Sequence, residues 1–154
     1  MAGEIEVKLA ELGVTLPKPV APVANYVPAV LSGNLLHISG QLPIGPEGLS
    51  LKGTLGAGVS VEDAQAAAKL CAINILAQAK AAVGDLDKIV RVVKLGAFVA
   101  STADFTDQPK VVNGASDFMV AALGDKGRHA RSAVGVAALP LGAAVEIDAI
   151  LEIA

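Results

Sequence analysis

Apolar positions recur along this chain at two periods, and each predicts an element. Within residues 4–12, Ile5, Leu9 and Leu12 fall on one helical face and Gly13 follows as a stop. Residues 15–25 carry Pro17, Pro19 and Pro22, which excludes a regular helix. This stretch reads as an extended arm lying on the domain, not as a linker between domains. Residues 26–31 read as a strand, Ser32-Gly33-Asn34 as a tight turn, and 35–39 as the returning strand of a hairpin. A Gly- and Pro-rich loop over 40–48 follows, and 49–55 read as a short edge strand.

Ser60-Val-Glu-Asp63 marks a helix start, with Ser60 as cap and Glu62 and Asp63 in the first turn. The helix runs to residue 83, its apolar face marked by Ala64, Ala68, Cys71, Ile75 and Ala79, and Gly84 ends it. A connector over 85–88 leads to 89–100, an apolar, β-branched run that reads as a long central strand. Asp107-Gln-Pro109 opens a second long helix, with Asp107 as cap, which runs to 123 and stops at Gly124. Inside it, Asn113-Gly114 is a poor choice for helix propensity. A polar loop over 125–130 precedes residues 131–154, which read as a closing hairpin around the turn Leu139-Pro140-Leu141-Gly142. This order predicts an α+β architecture, a mixed β-sheet with two long helices packed on one face. A single domain spans 1–154, with 1–21 as its N-terminal helix and Pro-rich arm. The other sheet face must be covered, and self-association covers it.

Composition adds weight to that last point. Hydrophobic residues make up 53% of the chain and the mean hydropathy is +0.59, more than an average domain needs. No unbroken apolar run reaches the length of a membrane span, so the excess points to a small-residue core and a buried subunit interface. A net charge of −3 without a basic patch argues against nucleic-acid binding by phosphate neutralisation. Three Phe, one Tyr and no Trp offer no base-stacking platform. The lone Cys71 excludes an intrachain disulfide and suits a reducing compartment, and residues 1–6 lack an apolar leader, so cytoplasm is the expected location.

Candidate chemistry concentrates in the closing hairpin. In the last strand Val145, Ile147, Ala149, Leu151 and Ile153 point one way, under the helices; Glu146, Asp148, Ile150 and Glu152 point the other way, towards the expected subunit contact. In the strand before it, Arg131, Ala133, Gly135 and Ala137 share a side, and the small residues leave room for a ligand beside the arginine. Arginine presents a planar fork suited to a carboxylate, and glutamate can orient a water or move a proton. A register pairing Arg131 near Asp148 puts Arg131 and Glu146 on one face; a one-residue slip separates them. Two readings stand: a surface or interface ion pair of Arg131, with Glu146 among its candidate partners, or a pocket for a small anion. Asp148 and Glu152 read as solvated or interfacial charges. His37, His129 and Cys71 match no metal template, so no metal is expected. His37 reads as a strand residue at an interface, His129 as a loop residue near Arg131, and Cys71 as core packing. Residues 53–58 lack the Lys and Ser/Thr of a P-loop, and Ser39 lacks the partners of a nucleophile.

The pattern Arg131-Ser…Leu139-Pro140…Val145-Glu146-Ile147-Asp148 resembles the C-terminal signature of the RidA (YjgF-type) reactive-intermediate deaminases. Residues 26–43, ending in Ser39-Gly40-Gln41-Leu42-Pro43, resemble that family's N-terminal hairpin and its Ser-Gly-Gln-x-Pro loop, and the strand over 92–99 is similar too. The likeness covers roughly residues 22–153. It implies a chorismate-mutase-like fold and a homotrimer packed around its sheets, with sites in the clefts between subunits. It also implies hydrolysis of reactive enamines and imines, made by pyridoxal-phosphate enzymes, to 2-keto acids and ammonia without metal or organic cofactor. The implied partner is a small carboxylate-bearing metabolite; neither nucleic acid nor membrane is implied. By position, the resemblance implies that Arg131 grips the substrate carboxylate and Glu146 holds and polarises the attacking water. The resemblance likewise implies that Tyr26 and Asn113 line the pocket and that Gly40 offers backbone contacts, while Ala133 stands where many of these deaminases have a cysteine. A pocket role also gives the misplaced Asn113-Gly114 a reason. The N-terminal helix, the arm and the longer connection over 105–113 mark a separate branch. A non-catalytic keto-acid-binding or regulatory protein on the same trimer is the second reading. An endoribonuclease, which rests on an old family label, is the last.

Overall fold

The computed structural model describes residues 3–22 and 24–154; Met1, Ala2 and the arm residue Val23 lie outside the described residues. Helix α1 (Glu4–Glu11) buries Ile5 and Leu9, while Leu12 lies past its end and is exposed. The cap residue Gly3 has no side chain with which to cap α1. Asp87, far along the chain, does so: its carboxylate accepts from the Glu4 N–H at 2.8 Å and the Ile5 N–H at 3.0 Å. Gly3 is needed there, since a Cβ would collide with the Asp87 carboxylate. Glu6 pairs with Lys80 and ties the same helix to α2 (Val61–Val83). The two backbone donors hold the Asp87 carboxyl below its ordinary range. Its contribution is therefore present at neutral pH and lost as pH falls through the folded value. Asp87→Ala is expected to speed hydrogen exchange of the α1 amides while leaving those of α2 protected, and acid below pH ~4 to act likewise on the wild type.

Strands β1 (Ala29–Ser32) and β2 (Leu35–Gln41) form the first hairpin, with Gly33 at φ 62° in its two-residue turn. β1 starts three residues later than predicted, because Pro28 has no N–H to give and the Tyr26 N–H turns back to the Ala24 carbonyl. Of the edge strand expected over 49–55, only β4 (Gly48–Leu49) forms, pairing β3 (Ile44–Gly45) in a separate ribbon. Positive φ at Gly53 and Gly56 breaks the rest. α2 begins as predicted, with the Ser60 hydroxyl accepting from the Asp63 N–H at 3.1 Å. By length and composition α2 is apolar enough to cross a membrane, yet Ala64, Ala68, Cys71, Ile75 and Ala79 are buried inside the fold. β5 (Ile89–Ala100) and α3 (Gln108–Leu123) follow, then a 3-10 turn (Gly124–Gly127), β6 (Ala130–Val136) and β7 (Val145–Ile153). Asp107 stands at the cap position of α3 without a side-chain cap bond.

The five-stranded sheet has the order β1-β2-β7-β5-β6. The closing hairpin expected from the sequence does not form. β5 lies between β6 and β7, parallel to β6 and antiparallel to β7, which is the middle strand. β5-α3-β6 is a strand–helix–strand crossover, and such a unit pairs its strands in parallel. The chain then passes over the end of β5 on its way to β7. There the Ser101 N–H reaches the Val136 carbonyl and the Ala100 N–H the Ala144 carbonyl.

α2 and α3 cover one face of the sheet and pack on each other. Gly114 lets them approach: a Cβ would collide with the Gln65 backbone carbonyl, and the Gln65 amide donates to the Lys110 carbonyl at 2.9 Å. Asn113-Gly114 is thus half explained by helix packing. Gly114→Ala is expected to lower stability by about 1–3 kcal/mol, read as a lower urea midpoint.

Candidate active site

Alternating burial along β7 fixes two faces. Val145, Ile147, Ala149, Leu151 and Ile153 are buried under the helices, and Glu146 and Asp148 point to the open face. In the ladder, Glu146 aligns with Phe98 and Val134, and Asp148 with Gly96 and Ser132. On that face a cleft of about 520 Å³ is lined by Tyr26, Gly40, Phe98, Pro140, Glu146 and Asp148, with Val20, Ala21 and Pro22 of the arm along one wall.

Local sequence builds the cleft. The β2 ladder shifts register between Ile38 and Gln41, which brings Gly40 over Glu146. A Cβ on Gly40 would stand 2.9 Å from the Glu146 carboxyl carbon and 3.1 Å from its Oε1. Gly96 makes room for the Asp148 carboxylate in the same way. The Ser39 hydroxyl donates to the Val27 carbonyl at 2.8 Å and its N–H to the Pro28 carbonyl at 2.9 Å, which fixes the segment carrying Tyr26. The buried Gln78 donates to the Val20 carbonyl at 2.7 Å and holds the arm against the cleft.

Both carboxyls are shifted upward. Burial raises Glu146 first, and the Asp148 charge adds to it. Burial raises Asp148 too, opposed by the Gly96 N–H and by Lys94. A half-buried carboxyl with raised proton affinity is suited to taking and returning a proton. Cys71, by contrast, is fully buried on α2, and burial pushes its thiol well up, so it is a packing residue.

Arg131 is elsewhere. In the ladder it aligns with Leu95 and through it with Ala149, both buried under the helices. It therefore sits on the helical side of the edge strand β6, and the expected register that would place it beside Glu146 is corrected: within one chain the two lie on opposite faces of the sheet. The small residues next to Arg131 do not leave a ligand space either. A Cβ on Gly135 would meet Ser101 Oγ at 2.6 Å and Gln108 Nε2 at 2.7 Å, and Ala133 packs against the core. Arg131 instead reaches α3. Its Nη1 donates to Asn113 Oδ1 at 2.9 Å and to Ser116 Oγ at 3.1 Å, and its Nη2 to the Pro109 carbonyl at 3.4 Å. These partners are neutral, so its charge is not balanced by them. Of the site residues read from the sequence, Tyr26, Gly40 and Glu146 share the cleft; Arg131 and Asn113 form a second locus at the sheet's edge, and Ala133 joins neither. Ser116 escaped the sequence reading. The signal was its place one turn after Asn113 on the same helix face.

Residues 6–152 match the family described as "YjgF/chorismate mutase-like, putative endoribonuclease". Protein TCP17 of Trypanosoma cruzi is 51% identical over 153 residues, covering 99% of this chain and 96% of that protein. The crystal structure of Atu1372 from Agrobacterium tumefaciens, a protein of unknown function, is 56% identical with a TM-score of 0.91, covering 97% of this chain and 92% of the other. RidA from an Antarctic Psychrobacter is 36% identical with a TM-score of 0.62, covering 90% and 96%.

Proposed function

The chain belongs to the YjgF/RidA family, and on that premise we propose that it hydrolyses reactive 2-imino and enamino acids to 2-keto acids and ammonia. The observation that carries this reading is the Glu146 carboxyl, half buried beneath Gly40 in a cleft with raised proton affinity. An imine carbon is already electrophilic, so a positioned water and an anchored substrate suffice for attack. Glu146 takes a proton from the water as its oxygen bonds to the imine carbon. With the imine protonated, Glu146 returns that proton to nitrogen and then takes the proton of the added hydroxyl as the C–N bond breaks, so that the carbonyl forms, ammonia leaves and the last proton passes to the ammonia. Asp148, in the same cleft, favours the protonated imine over the neutral one by charge. The substrate carboxylate goes to Arg131.

Because Arg131 and Glu146 lie on opposite faces of one sheet, a site that uses both draws them from two copies. The open face, with Val30 and Val134 exposed among its charges, is the surface for that contact. We assign a homotrimer, for which light scattering should return three times the 15.4 kDa chain mass. The direct test generates 2-iminopropionate or 2-iminobutyrate in situ and follows its loss. Wild type is expected to accelerate the loss and Arg131→Ala not to. Equal rates for the two would sink the hydrolase reading for these substrates, and thermal stabilisation by 2-keto acids without turnover would replace it with binding.

A further inference from the structure

The carboxylate anchor has a support that runs away from the cleft. His129, two residues before Arg131 on the chain, has Nδ1 at 2.6 Å from the Gly127 carbonyl and Nε2 at 2.9 Å from Ser116 Oγ. A carbonyl oxygen only accepts, so Nδ1 carries a proton, and in the tautomer that has this one proton Nε2 is an acceptor. The Ser116 hydroxyl must then donate to Nε2, which aims its lone pairs away from the ring. Arg131 Nη1–H fills one of them at 3.1 Å. Every link therefore has a fixed direction: Arg131 to Ser116, Ser116 to His129, His129 to the Gly127 backbone. Gly127 lies close against α3, where a Cβ would strike the Met119 carbonyl.

We propose that Ser116 and His129 are positioning residues for Arg131, a relay that sets which edge of the guanidinium meets the substrate. Nη1 has two hydrogens, and they go to Asn113 Oδ1 and Ser116 Oγ. Nη2 makes only the 3.4 Å contact to the Pro109 carbonyl, and Nε makes no hydrogen bond among the described residues. The Nε–Nη2 edge is thus the free one, and it matches a carboxylate side-on with two parallel N–H···O bonds. The relay acts on binding, since the carboxylate is held equally before and during reaction. This inference rests on the proposed role of Arg131 as anchor.

The test uses the full chain. Ser116→Ala should raise KM for an imino acid, or Kd for its 2-keto acid, about tenfold with kcat nearly unchanged, the effect of one charge-assisted hydrogen bond lost from a binding group. His129→Ala should raise it about threefold, as a neutral bond acting through Ser116 does. The double variant should be no worse than Ser116→Ala, because the chain is broken once. Ser116→Thr, which keeps the hydroxyl, and His129→Gln, which keeps an acceptor near Nε2, should both restore wild-type KM. A structural role in α3 would give none of this pattern. Additive losses, or a Ser116→Ala enzyme with unchanged KM beside an impaired Arg131→Ala, would overturn the relay. So would labelling of Ser116 by a fluorophosphonate, which would make it a nucleophile. Nitrogen NMR of the wild type reads the relay without turnover. His129 should hold a proton on Nδ1, and Arg131 should show separate Nη1 and Nη2 resonances that merge in Ser116→Ala. If they are already merged in the wild type, the relay fails whatever the protein hydrolyses. If they are separate in a protein that turns over no imine, only the hydrolase reading fails.

Discussion

Replacing Glu146 with glutamine is expected to lower kcat for the proposed imine hydrolysis by about two to three orders of magnitude and to leave KM near its wild-type value, the share that one positioned acid–base group contributes. The same change should raise the melting temperature. The Glu146 carboxyl is held above its ordinary 4.5, by burial first and by Asp148 second. Between the ordinary value and the raised one, the folded chain keeps a proton that the unfolded chain has released. Stability therefore falls as pH rises through that window and stays lower above it. Glutamine cannot ionise, so the cost disappears. A variant that loses activity while gaining stability is the signature of a functional group held at a cost to the fold; removing a merely structural carboxylate would lower the melting temperature and leave the rate unchanged. Asp148→Asn separates the two causes of the shift. It removes the charge and leaves the burial, so the acid limb of the kcat profile moves to lower pH. Steady-state kinetics across pH and thermal melts at neutral pH measure both effects. Wild-type kcat in Glu146→Gln, or a lower melting temperature with no loss of rate, would return Glu146 to a structural role.

What the sequence makes legible here is whatever is decided locally. α2 is readable because its cap, its first-turn acids, its apolar face and its terminal glycine all lie within one continuous stretch. The face of Glu146 is readable because β7 is an interior strand with one side buried, and its alternation is clean. The face of Arg131 is not. β6 is an edge strand whose polarity misleads: the more apolar set, Ser132, Val134 and Val136, lies on the open face, while Arg131, Ala133 and Gly135 lie on the helical side. Its orientation is set by Leu95 on a strand more than thirty residues earlier, a partner that no local period reveals. The false hairpin has the same origin. A Pro/Gly turn between two short strands looks alike whether the strands pair with each other or admit a third between them. One signal in the sequence did favour the correct arrangement: a long strand, a helix and a strand in succession, which point to parallel pairing. The cap of α1 is still less legible, since Asp87 lies 83 residues from the backbone it caps. Gly40 and Gly96 read as loop and strand glycines, and only the folded chain shows that each leaves room for a carboxylate.

Mixing the two inactive variants Arg131→Ala and Glu146→Gln restores activity. Within one chain these residues stand on opposite faces of the sheet, so in the proposed site the arginine comes from one copy and the glutamate from the next. Each variant alone lacks one of the two groups at every site. In a ring of subunits drawn at random from an equal mixture, a site works when an intact arginine on a Glu146→Gln copy meets an intact glutamate on an Arg131→Ala copy. Both conditions hold at about one site in four, so unfolding and refolding the mixture should return about a quarter of wild-type activity. The double variant Arg131→Ala/Glu146→Gln mixed with either single variant should return none, because no contact then offers both groups. Arg131→Ala alone should lose about a hundredfold in affinity for the carboxylate substrate, since it removes both bonds of a bidentate pair. Complementation is insensitive to how well either variant folds alone, provided the copies assemble. Rescue in the mixture with no rescue in the double-variant control requires a shared site. Activity that stays at the level of the single variants after verified co-assembly means that each chain works alone, and the arginine then serves something other than the glutamate's substrate.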